Sequence, residues 1–356
     1  MLKIGGKALS RKDIYQYFGS LQQIAGLRRF TYAEGKAKGL EAVECRSGSG
    51  LRFIILLDRG MDIGLCEYQG IPIAFRSAVG ESSPSFFEAE GTEWLRNFGG
   101  GLLVTCGLTY LGSPDNDRGE ELGLHGRISN IPAEEIALDS HWEGNECIFQ
   151  VKGKVREAKT LFTNMVLQRE ITNRLGENRI LIKDQIINEG AHKTPFMFLY
   201  HINIGYPLLE KGSQFCAPSL EVKPRDSIAA ASFRDYAFYS NPIANYPDTV
   251  FYHNLKKDQK GWSKVALINK KRQLGLYVYY DGTYLPNFIQ WKFLEDGHYV
   301  TGLEPSNCLV EGRSIEREKG TLFYLNPGES REIHIEIGLL TSVKAIKEIQ
   351  SELKNF

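Results

Sequence analysis

Two histidines and a carboxylate stand where their chemistry could be used. His201 lies in the apolar run FMFLYHINIGYPLL, and Asn203 follows two positions later, so on a strand both side chains leave the same face. A single histidine in such a run is more often a core residue with its nitrogens satisfied. Two polar groups on one face of an apolar strand point instead to a face that lines a pocket. Glu304 sits in YVTGLEPSNC just before Pro305, where a carboxylate is either solvated at a strand end or aimed into a cleft. His125 and Arg127 share LGLHGRISN, in which Gly123 and Gly126 flank the histidine and let backbone approach a ligand closely. The plainer account is a loop histidine beside a surface arginine. Asp58, Arg59 and Asp62 of LLDRGMDIG read most simply as an Asp–Arg pair in a turn, which contributes little if exposed. Gln290, Trp291 and Lys292 of FIQWKFLEDG offer an indole on which the C–H face of a sugar could stack, although a strand tryptophan is more commonly core. An imidazole and a carboxylate on one pocket wall would supply the donor and acceptor of general acid–base catalysis.

Short strand-like runs must position these residues. RFIILLDRG, MDIGLCEY and GIPIAFRS come first, then CIFQVKGKV, TLFTNMVLQREIT, NRILIKDQIIN and FMFLYHINI, and later VALINK, QLGLYVYYD, FIQWKF, YVTGLEP, GTLFYLNPG and REIHIEIGLL. Ile333, Ile335 and Ile337 keep a plain period of two. Ile180, Ile182 and Ile186 share a face, but Asp184 interrupts it and Ile187 follows directly, which predicts a bulge. Ser10 with Asp13 predicts a capping box opening a short helix, and Val343, Ile346, Ile349 and Leu353 predict a terminal one. Ser82–Phe98 is the best internal helix pattern, weakened by Gly91, while Leu21–Val43 has no strong period. The glycines of GGGLLVTCGLTYLG suit close packing rather than phosphate binding. Many strands, few helices and no regular βα alternation predict an all-β chain: one large antiparallel β-sandwich over residues 1–356, with an N-terminal helix and extension in 1–45, and a C-terminal helix in 341–356.

Composition narrows the function. Of 356 residues, 43 are Lys or Arg and 43 are Asp or Glu, so the formal net charge is zero. That balance argues against a nucleic-acid binder, which needs a basic face, and against a polybasic membrane anchor. The six cysteines form no CxxC pair, and no apolar stretch reaches the length of a signal peptide or a membrane span. The expectation is a cytoplasmic protein with reduced thiols, acting as monomer or homodimer. Phosphate-loop, HExxH, GxSxG and GxGxxG motifs are all missing.

In order, DRGMDIG, GGGLLVTCGL, LHGRISN, HINIGYPLL, QWK, GLEPSNC, GRS and LNPGESREIHIEIGLL resemble the galactose mutarotase (aldose 1-epimerase) superfamily, and more closely its uncharacterised branch with a domain of unknown function. The resemblance spans about Asp58 to Leu340. It implies the mutarotase-like supersandwich fold and a carbohydrate-active isomerase that interconverts sugar anomers without metal or cofactor. It implies that His125 binds substrate, His201 is the general acid, Glu304 is the general base and Arg59 binds sugar hydroxyls, with Arg127, Asn203, Trp291 and Lys292 as further binding residues. Asp248 and Asp281 are the possible positions for the family's substrate-binding aspartate. Acid and base about 6–7 Å apart would hold a C1–O5 unit between them by hydrogen bonds. The alternatives are a non-catalytic carbohydrate-binding module and a sugar isomerase or 2-epimerase. A glycosidase would need a second carboxylate opposite Glu304, for which Glu311 and Asp58 are the candidates. A metal site built from His125, His201 and Glu304 is a further option.

Overall fold

The computed structural model describes residues 2–4 and 7–356. Two antiparallel sheets dominate it. The eight-stranded sheet runs, in spatial order, Ala133–Glu143, Glu146–Lys159, Thr163–Arg174, Arg179–Asn188, Ser330–Leu340, Leu274–Asp281, Trp262–Asn269 and Gln214–Cys216. The twelve-stranded sheet runs Ser219–Pro224, Thr249–Leu255, Asn287–Glu295, His298–Ser306, Thr194–Ile204, Leu103–Leu108, Asp62–Tyr68, Leu51–Leu56, Glu41–Arg46 and Gly26–Thr31, with Ile71–Pro72 and Phe323–Leu325 added beside it. This is the all-β sandwich expected.

Alternation decides which side chains fill the space between the sheets. In Thr194–Ile204 the even residues Phe196, Phe198, Tyr200, Ile202 and Ile204 join the large inter-sheet core, together with Ile171, Ile182 and Ile335 from the opposite sheet. The odd residues Met197 and Leu199 point the other way, into a second apolar cluster with Val104, Ile289 and Val300. His201 and Asn203 share that second face.

A charge cluster crosses the inter-sheet core. The Arg169 guanidinium donates to both oxygens of Asp184, at 2.9 and 2.7 Å, and to Asp62 Oδ1 at 3.1 Å and Thr105 Oγ1 at 2.9 Å. The Tyr200 hydroxyl donates to Asp184 at 2.7 Å. Arg169 and Asp184 belong to the eight-stranded sheet; Asp62, Thr105 and Tyr200 belong to the other. This pairing corrects the bulge expected near Asp184. The ladders on both sides of Arg179–Asn188 run without a register shift, and Asp184 faces inward with Ile182 and Ile186 because Arg169 waits there.

The helices are short. Ser10 and Asp13 form the expected capping box on Arg11–Tyr17, and Val343–Lys354 buries Ile346, Ile349 and Leu353 while leaving Val343 exposed. The helix expected over Ser82–Phe98 is instead two 3-10 turns, Pro84–Phe86 and Glu93–Asn97, with Gly91 at φ 48° between them. The weakly patterned stretch before residue 45 holds two strands of the large sheet. The outer one, Gly26–Thr31, has no buried residue, which is why no alternation marks it. No helix among the described residues is long and apolar enough to cross a membrane.

Replacing Arg169 by Met would leave two buried carboxylates without their cation. Breaking a buried pair in this way costs about 3–5 kcal/mol. We expect urea unfolding to show a loss of that order with an unchanged slope; a loss below about 1 kcal/mol would remove the cluster's structural importance.

Candidate active site

The ladder brings the acid–base candidates together. Pairing Leu199 with Ser306 and Ile202 with Leu303 sets His201 directly across from Glu304 on the neighbouring strand. Both lie on the face away from the inter-sheet core, and His201 Nε2 stands 3.4 Å from Glu304 Oε1. No hydrogen bond closes the gap: Glu304 Oε1 and His201 Nδ1 are both shut off from solvent and unpartnered. Gly302 makes room for this. A Cβ there would meet Glu304 Oε1 at 2.1 Å and Trp291 Cβ at 3.2 Å, so the carboxyl and the indole fold over a bare backbone.

Rings wall the pair. The Trp291 ring lies 5.3 Å from His201, Phe98 lies 5.7 Å from it, and His125 meets it edge-on at 5.7 Å. Trp94 stacks on Phe98 at 4.8 Å and touches His125 at 5.0 Å. His125 is held at φ 57°, a backbone state rare outside glycine, and its Nδ1 is also buried without a partner. At the outer side, Trp291 Nε1 donates to Asp248, whose other oxygen accepts from Arg225 at 3.1 Å.

Burial sets the protonation. His201 and Glu304 are 5% and 2% exposed. Desolvation pushes the Glu304 carboxyl well above the usual range; the like charge of Asp248 adds to this and Arg225 opposes it. Desolvation takes His201 down to about 3, reinforced by His125 and opposed by Asn203, and takes His125 down to about 4. Burial thus disfavours the charged form of both groups. Among the described residues no group of three His, Cys, Asp or Glu is arranged to hold a metal ion.

Fold and site together define a galactose mutarotase-like β-sandwich with an imidazole–carboxyl pair on one face of its larger sheet. The chain belongs to the DUF4432 family, described as a domain of unknown function, whose model matches residues 37–339. No curated protein matches. A candidate aldose 1-epimerase from Klebsiella pneumoniae superposes with a TM-score of 0.89 at 24% identity, over 92% of this chain and 87% of that one. A galactose mutarotase-like protein from Clostridium acetobutylicum gives 0.63 at 13%, over 89% and 99%, and a galactose 1-epimerase from Lactobacillus acidophilus gives 0.58 at 12%, over 89% and 99%. At these identities the likeness is one of fold.

The other expected site residues divide. Asn203 stands on the same face as His201, donating to the carbonyls of Gly101 and His201 at 3.2 and 3.0 Å. Arg59 does not reach the pair. Its nitrogens donate to the carbonyls of Ser129, Ser82 and Asn97 at 2.6, 2.8 and 3.0 Å, bracing the segments that carry Trp94 and His125. Arg127 is exposed, 6.0 Å over the Phe87 ring, on the wall of an open groove of about 1120 Å³ beside Glu88, Glu90 and Glu121. Of the two possible aspartates, Asp248 adjoins the site, while Asp281 belongs to the eight-stranded sheet. Of the two glycosidase carboxylates, Glu311 accepts from the Tyr252 hydroxyl and Asp58 accepts from Glu41 N. Trp94, Phe98 and Arg225 were not anticipated: they come from turns and a strand end where no periodicity reports a face.

Lys292 is the plainest correction. Next to Trp291 in a strand, it must face the opposite side. Its ammonium donates to the carbonyls of Asp235, Tyr236 and Phe238 at 2.8, 3.4 and 2.8 Å, beneath the sheet. Desolvation lowers it from 10.5 to about 8, partly offset by Asp235. A lysine depressed in the native state binds fewer protons there than when unfolded, so this group adds stability as pH rises from about 8 to 10.5. Relative to Lys292→Met, the wild type should gain about 3 kcal/mol across that window in denaturant unfolding. A constant difference between the two proteins would contradict this account of Lys292.

Proposed function

We propose that this chain is a carbohydrate-active epimerase of the aldose 1-epimerase (mutarotase) type, interconverting the anomers of a monosaccharide or sugar derivative. The observation that carries this reading is the cross-strand contact of His201 and Glu304, with its unpartnered atoms, under an aromatic wall. Ring opening requires one proton to leave the anomeric hydroxyl and one to arrive at the ring oxygen. Those two oxygens are bonded to the same carbon, so one imidazole and one carboxyl side by side can serve both.

A separation of 3.4 Å leaves no space for a sugar atom between the two groups. This replaces the wider spacing expected from the sequence. The substrate lies across the pair, presenting its C1–O5 edge, with hydrogen bonds of about 2.6–3.2 Å to each group. Trp291 offers an apolar ring for the C–H face, and His125, Asn203 and Asp248 offer polar atoms for hydroxyls. Six free cysteines, five of them buried, accord with a reducing compartment such as the cytoplasm.

Exchange NMR of anomer interconversion across aldoses and acidic sugars tests the proposal. Wild type should accelerate exchange for at least one sugar, and Glu304→Gln should lose about 10²–10⁴-fold of that rate. New isomer peaks without faster anomer exchange would move the chemistry to C2. Sugar-dependent shifts with neither would leave a binding module.

A further inference from the structure

The acid–base pair occupies one end of a row that crosses the site face of the larger sheet. Tyr252 pairs with Ile289, and Ile289 pairs with Glu304, so the three side chains leave the same face of three adjacent strands. Two strand spacings, about 10 Å, separate the backbones of Tyr252 and Glu304. Ile289 between them is buried and apolar, and Trp291 stands on the same face two residues along. The row thus has a polar group at each end, an apolar floor between them and an indole beside the floor.

The far end is held as firmly as the near one. The Tyr252 hydroxyl donates to Glu311 Oε1. Glu311 belongs to the loop that follows Ser306, and that loop is pinned on both sides of it. Val310 is buried in the apolar cluster of the site face, and its carbonyl accepts from Ser113 N at 2.9 Å. Gly312 lies against Asp115, where an added Cβ would meet the carboxylate at 2.9 Å, and the Arg313 guanidinium donates to Asp117 at 2.6 Å. Glu311 itself is only partly buried, and its Oε2 accepts no hydrogen bond among the described residues.

Charge decides what this end can hold. Arg225, whose field reaches both Tyr252 and Glu304, donates to Asp226 at 3.0 Å and to Asp248 at 3.1 Å, so one guanidinium is already shared by two carboxylates. Lys223, beside Tyr252 on the outermost strand, is exposed and pairs with Glu221 at 3.1 Å. A phenol whose proton is engaged and a carboxylate oxygen with room for a partner both accept hydrogen bonds and donate none. Such an end receives O–H or N–H groups, and it sets an anionic group against a like charge with no uncommitted cation to compensate.

We propose that Tyr252 and Glu311 form the distal end of the sugar site and read donor groups on the part of the ring remote from C1, an assignment that rests on the epimerase reading above. The substrate is then a sugar that is neutral or amino-substituted at that end, and not a uronic acid, a sugar phosphate or a sulfonate. With its C1–O5 edge against Glu304 and His201, the ring extends over Ile289 toward Glu311, and a remote hydroxyl donates to Glu311 Oε2. A hydrogen bond to a charged acceptor is stronger than one between neutral groups, so this contact carries specificity as well as position.

The test compares glucose and galactose, each with its uronic acid and its 6-phosphate, on the full-length chain. Sugar-dependent NMR shifts give affinity, and exchange NMR gives rate. At least one neutral sugar should bind about 10-fold or more tightly than both of its anionic forms. Glu311→Gln keeps an acceptor for the Tyr252 hydroxyl and removes the charge. It should weaken binding of that neutral sugar about 10-fold and narrow the gap to the uronic acid, raising KM more than it lowers kcat. The wild-type comparison needs no variant, so it stands if Glu311→Gln does not fold. An anionic form bound as tightly as its neutral parent overturns the distal assignment, and so does a Glu311→Gln chain with unchanged affinities; accelerated exchange in either case leaves the epimerase reading in place. A preference for the neutral sugar that Glu311→Gln diminishes, in a chain that accelerates no sugar's exchange, supports the distal assignment and overturns the epimerase reading instead. Binding of none of these sugars overturns the distal assignment.

Discussion

Arg169 is the point from which the rest of the architecture can be followed. It is fully buried and holds carboxylates from both sheets. Each partner sits next to something the site needs. Tyr200, on Asp184, is the neighbour of His201 and points the opposite way. Thr105, on Asp62, lies between Val104 and Cys106, which floor the site. Asp62 also feels the second buried guanidinium, Arg59, whose carbonyl contacts brace the turns carrying Trp94 and Ser129. Two cations and two anions therefore balance inside the sandwich. Such a cluster is a poor source of net stability, because desolvation opposes the attraction. Its geometry, however, is satisfied in one register only. A slip by one residue would turn Asp184 to the outside and His201 to the core.

The same alternation that packs the core makes the site dry. Tyr200 and Ile202 cannot be buried on one face without His201 and Asn203 being presented on the other, and the loops that cover that face bring rings rather than charges. This is why the acid–base pair is governed by desolvation. In an exposed cleft the carboxylate would ionise at neutral pH and the imidazole would titrate near its ordinary value. Under Trp291, Phe98 and Trp94 burial disfavours charge on both groups.

How much of this was legible in the sequence depended on whether a residue sat in a regular strand. The period of two placed His201 and Asn203 on one face, and the register then brought Glu304 to them. The same rule should have separated Trp291 from Lys292, since adjacent strand residues cannot both line one pocket. Parity says which residues share a face, not which face is the site, so a lysine beside a plausible sugar platform was read onto the wrong side. Asp184 shows the complementary limit: a carboxylate in an apolar row looked like an irregularity because its partner, Arg169, lies on another strand. Arg59, Arg127, Trp94 and Asp248 occupy turns and connections, where spacing carries no facing information. Ser82–Phe98 had helical spacing, but its ends are drawn into the Arg59 carbonyl cage, and Gly91 bends the chain between them.

The placement of the cations explains why the pair is left to burial. Arg59 and Lys292 are each deeply buried and each bind three backbone carbonyls, a use that fixes loops and leaves neither paired with Glu304. Arg313 and Arg317 are committed to Asp117, and Arg225 to Asp226 and Asp248. Moving any one of these cations to Glu304 would lower its proton affinity and favour a fixed carboxylate. Withholding them leaves Glu304 and His201 each penalised by burial for carrying charge.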